Sequence, residues 1–203
     1  VPAAHDPFDA PHPWYVLIEL GGQGVPGTLR TALEDVLGTA LEEGLVEDAV
    51  VAESSAQGKQ LWAIREAIPE AQNHEGSSIK HDVSVPVSRI PEFLARADAA
   101  LEQAYPGIRI VAFGHIGDGN IHYNPAHPPQ MAPEAFAAAR EDVNRIVHDL
   151  VAELNGSISA EHGLGRLRRE EVRRYKPPVE IELMRRVKQA LDPDNILNPG
   201  KLV

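Results

Sequence analysis

The stretch "GHIGDGNIH", residues 114–122, sets two histidines on either side of a turn built from glycine, aspartate and asparagine. Asp118-Gly119 is a strong sequence for a two-residue hairpin turn. Pairing about that centre predicts Gly117 opposite Asn120, Ile116 opposite Ile121 and His115 opposite His122. Directly opposed residues share a face, with Cβ atoms about 4.5–5.5 Å apart, so both imidazoles can reach one metal. The isoleucines then point to the other face, into the core. A turn centred on Gly119-Asn120 would set His115 opposite Asn124 instead. In both registers one side carries His115, His122 and Asn124.

Spacing alone leaves two readings open: two ligands of a metal, or two ordinary polar residues flanking a hairpin. Two ligands do not make a site, so a third must come from elsewhere. "SAEHGLG", residues 159–165, offers a carboxylate and an imidazole in succession. Adjacent residues on an extended chain point opposite ways, so Glu161 can face the metal while His162 faces a neighbouring cavity. The competing reading is a helix N-terminal turn with Glu161 as a favourable early acid.

The elements that must position these residues follow from periodicity. Residues 13–20, "PWYVLIEL", read as a buried strand, and 47–53 as a second. Residues 28–44 read as a helix. So does the middle of 55–71, with Pro69 ending or kinking it. Residues 79–87 alternate as a half-buried strand, and 88–105 form a helix with Ile90, Phe93, Leu94, Ala97 and Leu101 inward. Strands follow at 108–115 and 120–124, then a long helix over 133–154 and a short strand at 156–160. Helices near 167–175 and 178–191 close the chain. This order predicts an α+β fold, a ferredoxin-like antiparallel sheet with helices packed on one face plus a C-terminal helical segment. The sheet core is expected over 13–165 and the helices and tail over 166–203.

Composition narrows the chemistry. The 203 residues carry no cysteine, so thiolate metal sites, disulfides and cysteine nucleophiles are excluded. Any metal must be held by His, Asp, Glu or backbone oxygen. A net charge of −11 argues against nucleic acid as the partner. Residues 166–203 are nonetheless net +4. Within them "RLRREEVRRYK" reads as a solvated helix face with mixed-sign pairs, the alternative being a basic edge toward a phosphate-bearing cofactor or an acidic partner. No apolar run has the length of a membrane span. The opening "VPAAHDPFDAPHP" reads as a loop or a cut edge, and an initial Val is expected of a processed chain or a fragment.

Four stretches together, "KHDVSVPVSRIPEF", "FGHIGDGNIHYN", "GSISAEHGLGR" and "MRRVKQALDPDNILNPGKLV", resemble a known family. They look like the C-terminal portion of FAD-linked 2-hydroxy-acid dehydrogenases and oxidases, flavoproteins of the vanillyl-alcohol-oxidase type. The group includes the D-lactate dehydrogenase, FAD-linked glycolate oxidase subunit and D-2-hydroxyglutarate dehydrogenase types. The resemblance covers the chain from residue 14 to its end. It implies an N-terminal FAD domain as partner, absent from these residues, with the flavin lying between the two. It implies that His115, His122 and Glu161 bind a divalent metal and that His162 is the base. It places Arg65, Lys80 and Asn124 at the substrate and Asn198 at the cofactor. A cytoplasmic enzyme, peripheral to the inner membrane face or homo-oligomeric in some members, is the expected setting.

Chemistry and resemblance agree on roles. Oxidising a 2-hydroxy acid such as glycolate or D-lactate removes a hydride from Cα and a proton from the hydroxyl. A metal at the hydroxyl acts as a Lewis acid, and an imidazole suits proton acceptance near neutral pH. Arg65 and Lys80 would clamp the carboxylate. Zinc suits three N/O ligands with an open position, and iron or manganese suits two His and one carboxylate. The chain alone is expected to hold no flavin and to be inactive. Two other classes use the same residues: a metal-dependent hydrolase acting through His115, His122 and Glu161, or a binding module whose metal is structural.

Overall fold

The computed structural model describes residues 5–201 apart from 24, 26 and 167. The chain divides after Glu75 into two compact units, residues 1–75 and 76–203.

The first unit contains helices α1 (Thr28–Glu42) and α2 (Ser55–His74). A reciprocal cap starts α2. Ser54 Oγ accepts the Gln57 N–H at 3.2 Å, and Gln57 Oε1 accepts the Glu53 N–H at 2.6 Å. Pro69 does not end this helix, which loses one rung of its ladder there and continues to His74. Residues 13–20 and 47–53 were expected to be strands and form none. A strand needs a neighbour for its backbone and cover for its apolar face. Neither segment has a ladder partner among the described residues, and Trp14, Val16 and Ile18 stand exposed.

The sheet lies wholly in the second unit. Strands β1 (His81–Ser84), β2 (Arg109–His115) and β3 (Asn120–Ala126) pair antiparallel in the order β1-β3-β2. Helix α3 (Ile90–Ala104) connects β1 to β2, with Pro91 in its first turn as expected. Residues 133–154 are two helices rather than one, α4 (Pro133–Ala138) and α5 (Arg140–Glu153). Ala139, with ψ near −3°, bends the chain between them, while hydrogen bonds on to Ala135 O and from Val143 N bridge the break. The strand expected at 156–160 is reduced to one bridge, Ser157 to Ser84. Its partner strand is only four residues long, and Gly156 already sits against the Ser84 carbonyl. The order β1–α3–β2–β3–α5 followed by that bridge beside β1 is the ferredoxin-like sequence of elements. Helices α6 (Arg169–Tyr175) and α7 (Pro178–Leu191) follow.

Alternation along β1 decides what faces where. His81 and Val83 point inward, with Ile121 and Tyr123 of β3, onto Phe93, Ala97 and Leu101 of α3 and Val143, Val147 and Val151 of α5. Burying each large apolar side chain contributes about 1.5–3 kcal/mol. Tyr123 meets Phe93 edge-on at 5.3 Å, and His81 meets His148 of α5 at 5.5 Å. Asp82 and Ser84 point to the opposite face of the sheet.

Part of the basic C-terminal stretch is structural. Arg173 pairs with Glu170 at 3.0 Å in the open, as a solvated helix face should. Glu171 instead turns inward, to Arg145 at 3.0 Å and to the fully buried His148 at 2.7 Å. Arg168 donates to the carbonyls of Ile158 and Lys80, both at 3.1 Å, and ties the bridge segment to the approach of β1.

Candidate active site

The β2–β3 hairpin takes neither expected register. His115 pairs with Asn120, Gly114 with Ile121, Phe113 with His122 and Val111 with Asn124. The loop is four residues long. A 3-10 turn covers Ile116–Asp118, and Gly119 follows at φ 78°. A type I′ turn would need positive φ at Asp118 as well. Asp118 instead uses Oδ1 to accept the Asn120 N–H at 3.0 Å. The register differs from both expectations by an even number of residues in the pairing, so no side chain changes face. His115, His122 and Asn124 therefore share one side, as expected, while Ile121 is buried. Ile116, also expected in the core, is exposed in the loop.

Gly119 is required where it stands. Its φ is left-handed, and a Cβ there would run into the Val85 carbonyl. Val85 N–H in turn donates to Gly119 O at 3.2 Å. This contact ties the hairpin loop to the strand that carries Asp82.

On the face away from the helices, the structure brings together His115, His122, Glu161 and His162. Glu161 Oε1 lies 3.3 Å from His115 Nδ1, and its Oε2 lies 3.8 Å from His122 Nε2. Ligands about 2.0–2.1 Å from a tetrahedral ion stand about 3.3 Å from one another. Two imidazoles and a carboxylate are donors of the type a divalent metal takes, and each imidazole lies within 4 Å of a Glu161 oxygen, but the three do not bring one ligand atom apiece within 4.8 Å of one another. His162 stacks on His122 with ring centroids 5.7 Å apart and is 68% exposed, so its free edge is open to a small molecule. Phe113 packs against the His122 ring at 4.9 Å and fixes its plane.

Sequence reasoning missed Asp82. This residue pairs with His122 across β1 and β3 and is 2% exposed. Its Oδ2 accepts the backbone N–H groups of Glu161 at 2.9 Å and His162 at 2.8 Å. Its Oδ1 lies 4.0 Å from His122 Nδ1, and its Oδ2 lies 3.4 Å from His162 Nδ1. Burial pushes its pKa up, but the two backbone donors and the two imidazoles outweigh that and hold it below the usual carboxylate value. Asp82, His122 and His162 do offer ligand atoms within 4.8 Å of one another, a set that overlaps the first through His122. One signal could have found it. Aspartate is depleted in strands, and here it takes a polar position of the alternation in "KHDVSV", on the same face as Ser84.

Asn124 is buried, and its Oδ1 accepts the His81 N–H at 3.1 Å, so it braces β1 against β3. Lys80 sits just before β1, between the Ser78–Ala126 bridge and the His81–Tyr123 pair, and is exposed. Arg65 stands on α2 in the first unit. Asn198 lines a groove of about 670 Å³ along α7 and the C-terminal segment, with Leu183, Val187 and Leu197. That groove shares no residue with the histidine cluster.

The profile of the family described as "FAD linked oxidases, C-terminal domain" matches residues 2–202. The chain belongs to the C-terminal domain family of FAD-linked oxidases. Among curated relatives, it is 41% identical over 201 residues to a D-2-hydroxyglutarate dehydrogenase of Xanthomonas citri pv. viticola, covering 98% of this chain and 42% of that protein. It is 40% identical to the Stutzerimonas stutzeri D-2-hydroxyglutarate dehydrogenase over 199 residues, 97% of this chain and 42% of the relative. With the mitochondrial D-2-hydroxyglutarate dehydrogenase of Bos taurus the identity is 38% over 192 residues, 94% of this chain and 34% of the relative. The chain thus spans between a third and a half of the length of these relatives. No helix among the described residues is long and apolar enough to cross a membrane.

Proposed function

We propose that this FAD-linked oxidase C-terminal domain forms the substrate side of an FAD-dependent enzyme that oxidises a D-2-hydroxy acid to the 2-oxo acid. The observation that carries the reading is the convergence of His115, His122, Glu161 and His162 on one open sheet face, with imidazole–carboxylate distances of 3.3–3.8 Å. His115, His122 and Glu161 would hold a divalent metal, with zinc, iron and manganese all suited to the donors. Such a metal supplies a Lewis acid for the substrate hydroxyl. The flavin supplies the hydride acceptor and is held mainly by a domain N-terminal to these residues. His162 takes the hydroxyl proton through its open edge as the Cα hydride leaves. Lys80 and Arg65 would hold the substrate carboxylate, and Asn198 would meet the cofactor. The names of the relatives favour a five-carbon dicarboxylic hydroxy acid over glycolate or D-lactate.

The test is a substrate panel. The full-length protein, loaded with FAD, is assayed with D- and L-2-hydroxyglutarate, D-lactate and glycolate against a dye acceptor. Dye reduction dependent on D-2-hydroxyglutarate, and weaker with the monocarboxylates, is the expected result. Turnover of esters or phosphoesters without any dye reduction would favour the hydrolase reading instead.

A further inference from the structure

Asp82 is the most deeply buried charged group at the site, and no step above uses it. Three observations meet on it. Its Oδ2 receives two backbone N–H groups in succession, from Glu161 and His162, at 2.9 and 2.8 Å. That arrangement fixes the point at which the chain turns to present both side chains. Its Oδ1 is buried and has no hydrogen-bond partner among the described residues, and the polar atom paired with it is His122 Nδ1 at 4.0 Å. Its Oδ2 is also 3.4 Å from His162 Nδ1. One carboxylate therefore faces the Nδ1 edge of both imidazoles. The Nε2 edge of His122 points away from it, toward Glu161.

We propose that Asp82 is the positioning carboxylate of this site: it anchors the Glu161–His162 backbone and takes the Nδ1–H of His122 and His162, reserving Nε2 of His122 for the metal and Nε2 of His162 for the substrate proton. The physics is that of a histidine held by a carboxylate at one nitrogen. The anion accepts a proton-bearing nitrogen only, so it selects the tautomer whose other nitrogen has a free lone pair. Leaving a buried carboxylate oxygen unpaired is costly, which favours closing the 4.0 Å gap to His122 once that ring is fixed by a ligand. Asp82, His122 and His162 also bring ligand atoms within 4.8 Å of one another, so direct coordination by Asp82 is the rival role that the titration below separates from positioning. Burial on β1 and cross-strand pairing with His122 hold the Asp82 carboxylate in place, and the Val85–Gly119 hydrogen bond keeps the hairpin in register with it.

The inference rests on the metal and base assignments of the proposed function, and the experiment separates the two. Full-length protein, wild type and with Asp82→Asn, Asp82→Glu or His115→Ala, is stripped of metal and retitrated with zinc against a chelator. FAD content, melting temperature, kcat and KM are measured alongside. Asn keeps an oxygen for the two backbone donors and His162 but turns an NH2 toward His122, which reverses the tautomer of that ring. The expected result is zinc affinity lowered about 10–100-fold in Asp82→Asn and less in Asp82→Glu, with full stoichiometry still reached at saturating zinc. kcat at sub-saturating zinc should fall with metal occupancy while KM moves little, since the disturbed ring is His122 and not a group at the substrate. Wild-type zinc affinity in Asp82→Asn overturns the inference. So do equal losses in the Asn and Glu variants, a melting-temperature drop with unaltered zinc affinity, or loss of stoichiometric binding at saturation, which would make Asp82 a ligand. If His115→Ala binds zinc like wild type, it is the underlying metal assignment that fails.

Discussion

At the residue scale the histidines differ in their surroundings and so in their duties. His162 is exposed at one edge and faces Asp82 with the other. His162→Gln should lower kcat about 10²–10⁴-fold while metal content is retained, measured by steady-state kinetics and elemental analysis. Equal loss of metal would move His162 into the ligand set. His81 is the opposite case. It is buried between β1 and α5, its Nδ1 donates to the Tyr123 carbonyl at 2.9 Å, and burial depresses its pKa to about 3, helped by His148 and Arg168. The unfolded chain binds that proton near pH 6.5, so stability is full above 6.5 and falls as pH drops toward 3. His148 is depressed by burial too, although its Glu171 partner opposes the shift. Melting temperature should fall between pH 7.5 and 5.5, by less in His81→Asn, which keeps the donor to Tyr123. A pH dependence unchanged by that substitution would refute the point. The gathering of His115, His122, Glu161 and His162 on one face was legible from strand alternation and the family resemblance together. Asp82 was not, since its role comes from a cross-strand pairing that links residues 40 positions apart.

At the element scale, the hairpin is a device for presenting two imidazoles on one face. The face assignment was legible from alternation alone, because it survives any even shift of register. The register was not, because the loop is closed by local hydrogen bonds of Asp118 and by contact with Val85, a residue distant in sequence. Gly119 carries that closure. Gly119→Ala adds a strained φ and a Cβ against the Val85 carbonyl, so it should destabilise the domain by more than about 1 kcal/mol and weaken metal binding with it. Denaturation midpoints and a zinc titration check this together. Wild-type values in both would mean that the loop can reshape without disturbing the ligands. The helices α3 and α5 were read correctly because their apolar stripes are strongly periodic, and the break at Ala139 was not, since alanine carries no breaking signal.

At the scale of the molecule, the sheet, its two packing helices and the histidine cluster all belong to residues 76–203. The α+β class was legible there. The expected strands at 13–20 and 47–53 were read from apolar runs, and an apolar run says what wants cover without saying what provides it. The exposed Trp14, Val16 and Ile18 show that distinction directly. Family membership places the chain among FAD-linked oxidase C-terminal domains, and in the proposed reading the cluster would supply the groups that hydroxy-acid oxidation needs on the substrate side. The most direct test is the metal content of the purified full-length flavoprotein, wild type against His115→Ala and Glu161→Ala, with D-2-hydroxyglutarate oxidation measured on the same samples. The account predicts about one divalent metal per chain in the wild type, and loss of both metal and oxidation in each variant at unchanged FAD content. Stoichiometric metal retained in the variants, or oxidation that persists without it, would contradict the account.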